Sequence, residues 1–143
     1  MKRTSIPSIA LLTAIPLLLG HTSSDGGGCC AGADAEFELG PLTETTCPPA
    51  STLTYASFGE PFMTTYCVAC HDSQKTGADR NGAPAFHDFD TQVGVQRVLN
   101  HIDQTAAVGP AATNTVMPPD EEAAIPTLAE RELLAEWLAC GAP

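Results

Sequence analysis

The chain has few basic residues, few aromatic residues and no long uninterrupted apolar run. Its 143 residues hold 6 Lys and Arg against 17 Asp and Glu, which gives a formal net charge of −11 at pH 7. This acid excess argues against nucleic-acid binding, because phosphate backbones attract cationic surfaces. It favours a partner with a basic surface, whose association weakens as salt screens the charges. The length allows one domain.

Catalytic motifs are scarce as well. The sequence contains no recognisable Ser-His-Asp arrangement and no phosphate-binding loop. It also has no convincing strand pattern and no internal repeat, so we expect an all-α fold. With no visible catalytic apparatus, we expect that the protein is not an enzyme.

The longest apolar stretch lies near the start of the chain. Residues 6–19 follow Lys2 and Arg3, which is the charged start and apolar centre of a secretory signal. Pro7 and Pro16 disfavour the alternative of a buried helix, and the stretch is too short for a comfortable membrane span. The sequence therefore predicts export, to the periplasm or elsewhere outside the cytoplasm.

The segment after the apolar stretch has the composition of a linker. We assign residues 1–28 to a signal peptide and linker, and residues 29–54 to a flexible N-terminal linker. Cys29 follows three glycines and weakly resembles the acceptor cysteine of a bacterial lipoprotein. Membrane anchoring through a lipid on Cys29 and an unmodified linker cysteine both stay open.

One short motif carries most of the chemistry. Cys67-Val68-Ala69-Cys70-His71 has the pattern C-x-x-C-H, which attaches c-type haem. Two thiols three positions apart share one face of a helical turn, where both reach the vinyl groups on one edge of a porphyrin. The following histidine can then ligate the iron. The motif predicts one covalently attached haem c. A dithiol redox pair and a structural zinc site are alternatives, although the βαβ setting and the second ligand pair typical of them are missing.

Four further cysteines stand outside this motif. Cys47 precedes the first predicted helix, and Cys140 ends the last one. In an oxidising compartment they could form a disulfide across the domain, provided that the two helices meet. The alternative is that Cys47 and Cys140 both remain thiols.

Three helices are predicted. The first begins at a capping box formed by Ser57 and Glu60 and ends at the haem motif. The second covers about residues 92–103, where Val95, Val98, Leu99 and Ile102 share one face. The third begins at a capping box formed by Thr127 and Glu130, buries Leu134, Trp137 and Leu138, and stops at Gly141.

Residues 55–142 resemble a class I, mitochondrial-type cytochrome c. Gly59 and Phe62 precede C-x-x-C-H, Trp137 lies on the last helix, and Met117 precedes two prolines 46 residues after His71. The resemblance implies a cytochrome c domain over residues 55–143, with three main helices and long loops around one haem. It also implies electron transfer with redox partner proteins, which for so acidic a chain would carry a basic docking patch.

The resemblance makes Met117 the sixth iron ligand opposite His71. A thioether is a neutral ligand that suits iron cycling between two oxidation states. His87 and His101 compete for this role, because imidazole binds iron well, and an open position is a third option. A displaceable or missing sixth ligand would instead indicate a haem-based ligand sensor or a small peroxidase-like enzyme.

Three further residues are candidate haem contacts. Gly82-Ala83-Pro84 resembles the family segment whose proline carbonyl accepts from the ligating histidine, so Pro84 is expected to accept from His71. Buried haem propionates need cationic partners, and Arg80 and Arg97 are the candidates. Ordinary surface arginines are the alternative for both.

Overall fold

The structure is a computed structural model that describes residues 38–119 and 124–143. In these ranges the regular elements are helical, and one isolated antiparallel bridge joins Val108 and Thr113. The elements are a π-helical turn Tyr55–Gly59, α1 Glu60–Tyr66, a 3₁₀ turn Gly77–Arg80, α2 Gln92–Gln96, α3 Leu99–Ala106 and α4 Leu128–Ala139. None of these helices is long and apolar enough to cross a membrane. The predicted signal sequence, Cys29 and Cys30 lie outside the described residues.

The first helical segment starts three residues earlier than the sequence pattern predicts. The Thr54 side chain accepts from the Ser57 backbone N–H, and the Ser57 side chain accepts from the Thr54 N–H. Ser57 is therefore the inner residue of the capping box, and the predicted pairing of Ser57 with Glu60 is wrong. Serine can replace glutamate here because its hydroxyl also accepts a hydrogen bond. Pro61 lies in the first turn of α1, where its missing N–H has no cost.

The second predicted helix is broken into α2 and α3. Thr91 caps α2 by accepting from the Gly94 N–H, and Val98 has non-helical dihedral angles of φ −134° and ψ 31°. Val95 and Ile102 are nevertheless both buried. Val98 and Leu99, predicted on the same face, are only partly buried against the core. The apolar spacing thus predicted contact with the core, but not that the backbone bends between these residues.

The last helix agrees with its prediction. Thr127 and Glu130 form the capping box, and Leu134, Trp137 and Leu138 are buried. Gly141 follows with φ +85°, a conformation that glycine adopts without steric cost.

The first and last helical segments meet at a glycine and a tryptophan. A Cβ atom on Gly59 would lie 2.3 Å from Cζ2 of Trp137. Only glycine allows this approach without a shift of the ring. The ring of Phe58 packs edge-on against Trp137 with 5.8 Å between centroids, so an aromatic contact fixes the start of α1 against α4.

A disulfide joins Cys47 to Cys140, as the positions of these cysteines suggested. The bond spans 93 residues of sequence, and the two Cα atoms are 4.7 Å apart. Nearby, the Trp137 indole N–H donates to the Pro143 carbonyl. The chain segment before the first helix is thus tied to the end of the last one.

Residues 38–46, which belong to the predicted flexible linker 29–54, are mostly exposed but are hydrogen-bonded to α3 through Gly40 and Thr43. Thr43 is buried and donates twice to Asp103, from its backbone N–H at 2.7 Å and its hydroxyl at 2.6 Å. The Gly40 N–H donates to the Gln104 carbonyl at 3.1 Å. A buried carboxylate on α3 needs such donors, and the preceding segment supplies them.

Candidate functional site

The C-x-x-C-H motif follows directly on α1. The Cys67 N–H donates to the Met63 carbonyl at 2.9 Å, and the His71 N–H donates to the Cys67 carbonyl at 3.0 Å. The helical turn therefore continues through the motif and brings both thiols and the imidazole to one end of one helix. Cys67 and Cys70 carry thiols, and Cys70 is buried.

The surroundings of Cys67 keep its thiol protonated. Burial raises the pKa of Cys67 to about 12; the positive charge of Arg131 acts against this rise, and Cys70 adds to it. A redox-active dithiol needs the opposite shift, because the thiolate is the nucleophile. Nor do the described residues contain three or more His, Cys, Asp or Glu side chains grouped to hold a metal ion. The geometry thus lends support to neither the dithiol nor the structural zinc alternative.

His71 is held as a neutral imidazole in one orientation. Its Nδ1 lies 3.0 Å from the His87 carbonyl oxygen, and its ring stacks on Phe89 with centroids 4.3 Å apart. A carbonyl only accepts, so Nδ1 carries the hydrogen and Nε2 carries the lone pair. Burial lowers the pKa of His71 to about 4. A neutral ring whose N–H is anchored to a carbonyl is what a ligating histidine requires.

The carbonyl that accepts from His71 is not the predicted one. Pro84 was expected in this role, but its oxygen accepts from Nη2 of Arg80 at 2.7 Å. The His87 carbonyl takes its place three residues later in the same loop. Arg80 binds both carbonyls of this loop, that of Pro84 and that of His87.

Arg80 is a buried structural residue. Its side chain forms an ion pair with Asp88 at 2.8 Å, and its remaining donors reach four backbone carbonyls, those of Asp72, Ala83, Pro84 and His87. These contacts occupy all five N–H groups of the guanidinium. The guanidinium is thus bound to protein acceptors, and its pairing with a haem propionate stays a prediction. Arg97, at the end of α2, is exposed and stays a candidate.

Met117 and Cys67 pack against the same apolar core. The Met117 side chain is half-buried. Its backbone is held at both ends, since the N–H donates to the Thr105 carbonyl at 2.9 Å and the carbonyl accepts from Arg131 at 2.7 Å. Arg131 is also close enough to Cys67 to lower the pKa of that thiol. This arginine thus stands between the motif and the Met117 loop.

Of the two competing histidines, His87 lies next to His71 and His101 lies next to His87. The His87 ring is 6.2 Å from the His71 ring and 5.2 Å from the His101 ring, measured between centroids. Because the His87 backbone is bound to Nδ1 of His71, its short side chain cannot also reach the position opposite Nε2. This argues against His87 as the sixth ligand. His101 is exposed on α3 and stays a candidate.

No protein-family model, no curated protein and no solved structure matches the chain.

Two residues that support the site were not found from the sequence. Phe89 stacks on His71, and no pattern points to it. Arg131 is 2% exposed, and here a signal existed: it precedes Leu134 by three positions and Leu138 by seven, on the apolar face of α4. A cation on such a face, in a chain with so few cations, indicates a buried structural role.

Proposed function

We propose that the protein is an electron-transfer protein, a monohaem c-type cytochrome with His71 and Met117 as axial ligands of the iron. One observation carries the proposal. Two thiols and a neutral imidazole, whose Nδ1–H is fixed by a carbonyl, stand together at the end of one helix. This combination suits covalent porphyrin attachment with proximal ligation of iron.

Half-buried apolar side chains at the motif fit a large flat apolar group. Tyr66, Cys67 and Val68 are consecutive at the end of α1, and each packs against the core while part of its surface stays exposed. Met117 is half-buried against the same core. Covering such surface with an apolar ring removes it from water, which is favourable at about 25 cal/mol per Å². The residues present therefore fit haem c.

Haem c, when bound, supplies a one-electron couple between ferric and ferrous iron. The chain's own residues would hold it. Cys67 and Cys70 would form the two thioether links, and Nε2 of His71 would bind the iron. The sulfur of Met117 would bind it as a neutral second ligand, on a loop that Pro118 and Pro119 restrict. With both ligands bound, the iron would have no free site for an external ligand, so the chemistry supplied would be outer-sphere electron transfer.

The charge of the surface suits a basic redox partner. Arg80 and Arg131 are buried, so among the described residues the cations nearer the surface are Lys75 and Arg97. The surface is thus more acidic than the composition alone implies. A partner with a basic docking patch would be steered towards it, and the steering would weaken in salt. Export to the periplasm or beyond, with or without an anchor at Cys29, belongs to the same proposal.

Haem attachment tests the proposal. The protein is produced with a haem-attachment system, denatured and extracted with acid and organic solvent, and a spectrum of the reduced, pyridine-treated protein is recorded. We expect the haem to stay with the wild-type protein and to be released from the Cys67→Ala/Cys70→Ala variant. The matched control is Cys47→Ser/Cys140→Ser, which also removes two cysteines but should keep its haem. Free extraction of haem from wild type, or a chain that acquires none, refutes the proposal.

A further inference from the structure

One backbone carbonyl serves two donors. The oxygen of His87 accepts from Nδ1–H of His71 at 3.0 Å and from Nη2 of Arg80 at 3.1 Å. A carbonyl oxygen has two lone pairs, so both bonds can form together. They are not equivalent, because the guanidinium carries a full charge and its hydrogen bonds are roughly twice as strong as neutral ones.

Arg80 is fixed in this position. The residue is 8% exposed, and every nitrogen of its guanidinium is bound. Nε donates to the Ala83 carbonyl, Nη2 also donates to the Pro84 carbonyl, and Nη1 donates to the Asp72 carbonyl and the Asp88 carboxylate. The charge beside the His87 carbonyl is therefore a permanent part of the site.

Two donors on one oxygen compete for the same electron density. The guanidinium draws density from the His87 carbonyl, so that oxygen becomes a weaker acceptor for the imidazole N–H. The strength of that N–H bond sets how basic the ring is, since a strong acceptor at Nδ1 makes Nε2 a better donor to a metal. A weakened acceptor makes Nε2 a poorer donor, which disfavours the ferric state relative to the ferrous state.

We propose that Arg80 is a positioning residue that acts on His71 through the shared carbonyl of His87 and raises the reduction potential of the bound iron. The inference deepens the proposed function and rests on it. Asp88 opposes the effect, because its carboxylate takes part of the guanidinium charge across 2.8 Å.

The test uses haem-loaded protein and two variants whose reduction potentials should shift in opposite directions. Arg80→Gln should lower the reduction potential and strengthen the bond at Nδ1–H, while Asp88→Asn, which leaves Arg80 in place, should raise the potential and weaken that bond. For Arg80→Gln we expect about a tenfold change in the equilibrium constant of reduction, since mutation of the partners of a metal-ligating histidine alters metal affinity or activity by roughly 10- to 100-fold. Tenfold corresponds to about 59 mV for a one-electron couple. Redox titration measures the reduction potential, and the proton resonance of His71 Nδ1–H reports the strength of its hydrogen bond.

The control is Asp79→Asn. Asp79 is exposed in the 3₁₀ turn next to Arg80, so this variant removes the same charge as Asp88→Asn from outside the hydrogen-bond network. Its Nδ1–H resonance should stay that of wild type. If Arg80→Gln does not fold, a comparison of the Nδ1–H resonance in Asp88→Asn and Asp79→Asn still tests the inference.

Three results would overturn the inference while leaving the proposed function intact. The first is an unchanged reduction potential. The second is a shift of the potential in the same direction in Arg80→Gln and Asp88→Asn, which would indicate general loosening of the pocket. The third is a shift of the potential without movement of the Nδ1–H resonance, which would indicate that the charge acts on the iron directly and not through His71. A chain that takes up no haem overturns the proposed function together with this inference.

Discussion

The Arg131 guanidinium donates to the Met117 carbonyl oxygen across 2.7 Å. The same Nη1 also donates to the Ala106 carbonyl at 2.8 Å and lies 3.4 Å from the Asn114 carbonyl. A single buried cation on α4 thus fixes the end of α3 and the start of the loop that carries the proposed sixth ligand.

Arg131→Met should therefore destabilise the protein. The substitution keeps much of the apolar stem but leaves buried carbonyl oxygens without their donor, and each such group costs about 1–3 kcal/mol. Chemical denaturation measures the free energy of unfolding. The matched control is Arg97→Met, an identical substitution at an exposed site, which should change it by less than about 0.5 kcal/mol. Equal effects of the two variants would contradict the structural role of Arg131.

Met117 should determine whether the proposed haem iron accepts external ligands. Met117→Ala should open the sixth position, give a high-spin or hydroxide-bound ferric spectrum and admit carbon monoxide. Met117→His should keep the iron six-coordinate and lower its potential, because imidazole donates more strongly to ferric iron than a thioether does. Carbon monoxide titration and redox titration of the loaded proteins measure these changes.

The control for this series is Met63→Leu. Met63 is fully buried in the core, and exchange of Met for Leu conserves volume, so ligation should not change. Rapid carbon monoxide binding by wild type, with a spectrum like that of Met117→Ala, would instead favour the haem-based sensor or the peroxidase-like enzyme.

Gly59→Ala should destabilise the crossing of the first and last helical segments. The added Cβ would stand 2.3 Å from the Trp137 ring, and overpacking of this kind costs about 1–3 kcal/mol. Backbone strain plays no part, because Gly59 has a helical φ of −60°. A double-mutant cycle with Trp137→Phe tests the contact, since the smaller ring should recover part of the loss. Strictly additive effects would show that the two residues do not interact.

The Cys47–Cys140 disulfide should contribute strongly to stability. It closes a loop of 93 residues, for which the chain-entropy model gives roughly 4–5 kcal/mol. Peptide mapping without reduction, on protein made in an oxidising compartment, should recover the cross-linked peptides. Cys47→Ser/Cys140→Ser should unfold at a lower denaturant concentration than wild type. Recovery of both residues as thiols would remove the prediction.

Glu130 should make the protein sensitive to acid. Hydrogen bonds from the side chain and backbone of Thr127, and then from Tyr66, lower the pKa of this carboxyl below its ordinary 4.5. A carboxyl with a lowered folded-state pKa stabilises the fold above its unfolded pKa, and this contribution is lost as the pH falls through the folded-state value. Glu130→Gln should thus be less stable than wild type at neutral pH, and the difference should shrink below about pH 4.5. A difference that does not depend on pH would exclude the charge as its cause.

The local sequence pattern was sufficient to predict the last helix but not the structure of the middle of the chain. The capping box of Thr127 and Glu130 and the apolar face of α4 were predicted at the right residues, because both depend on near neighbours in sequence. The bend at Val98 was not predicted, since the apolar spacing continues across it. Thr43 was assigned to a linker because its burial depends on Asp103, 60 residues away.

The sequence by itself determined the residue types of the site and their order. It identified two thiols and a histidine at the spacing of a helical turn, a methionine before two prolines and two cysteines flanking the helical region, because these depend on covalent spacing. Tertiary structure decided which groups support them. The Pro84 carbonyl accepts a hydrogen bond from Arg80, and the His87 carbonyl accepts one from Arg80 and one from His71. Buried polar groups pair with whichever donors and acceptors lie within hydrogen-bond distance once the loop has folded. Local spacing in the sequence does not specify this proximity.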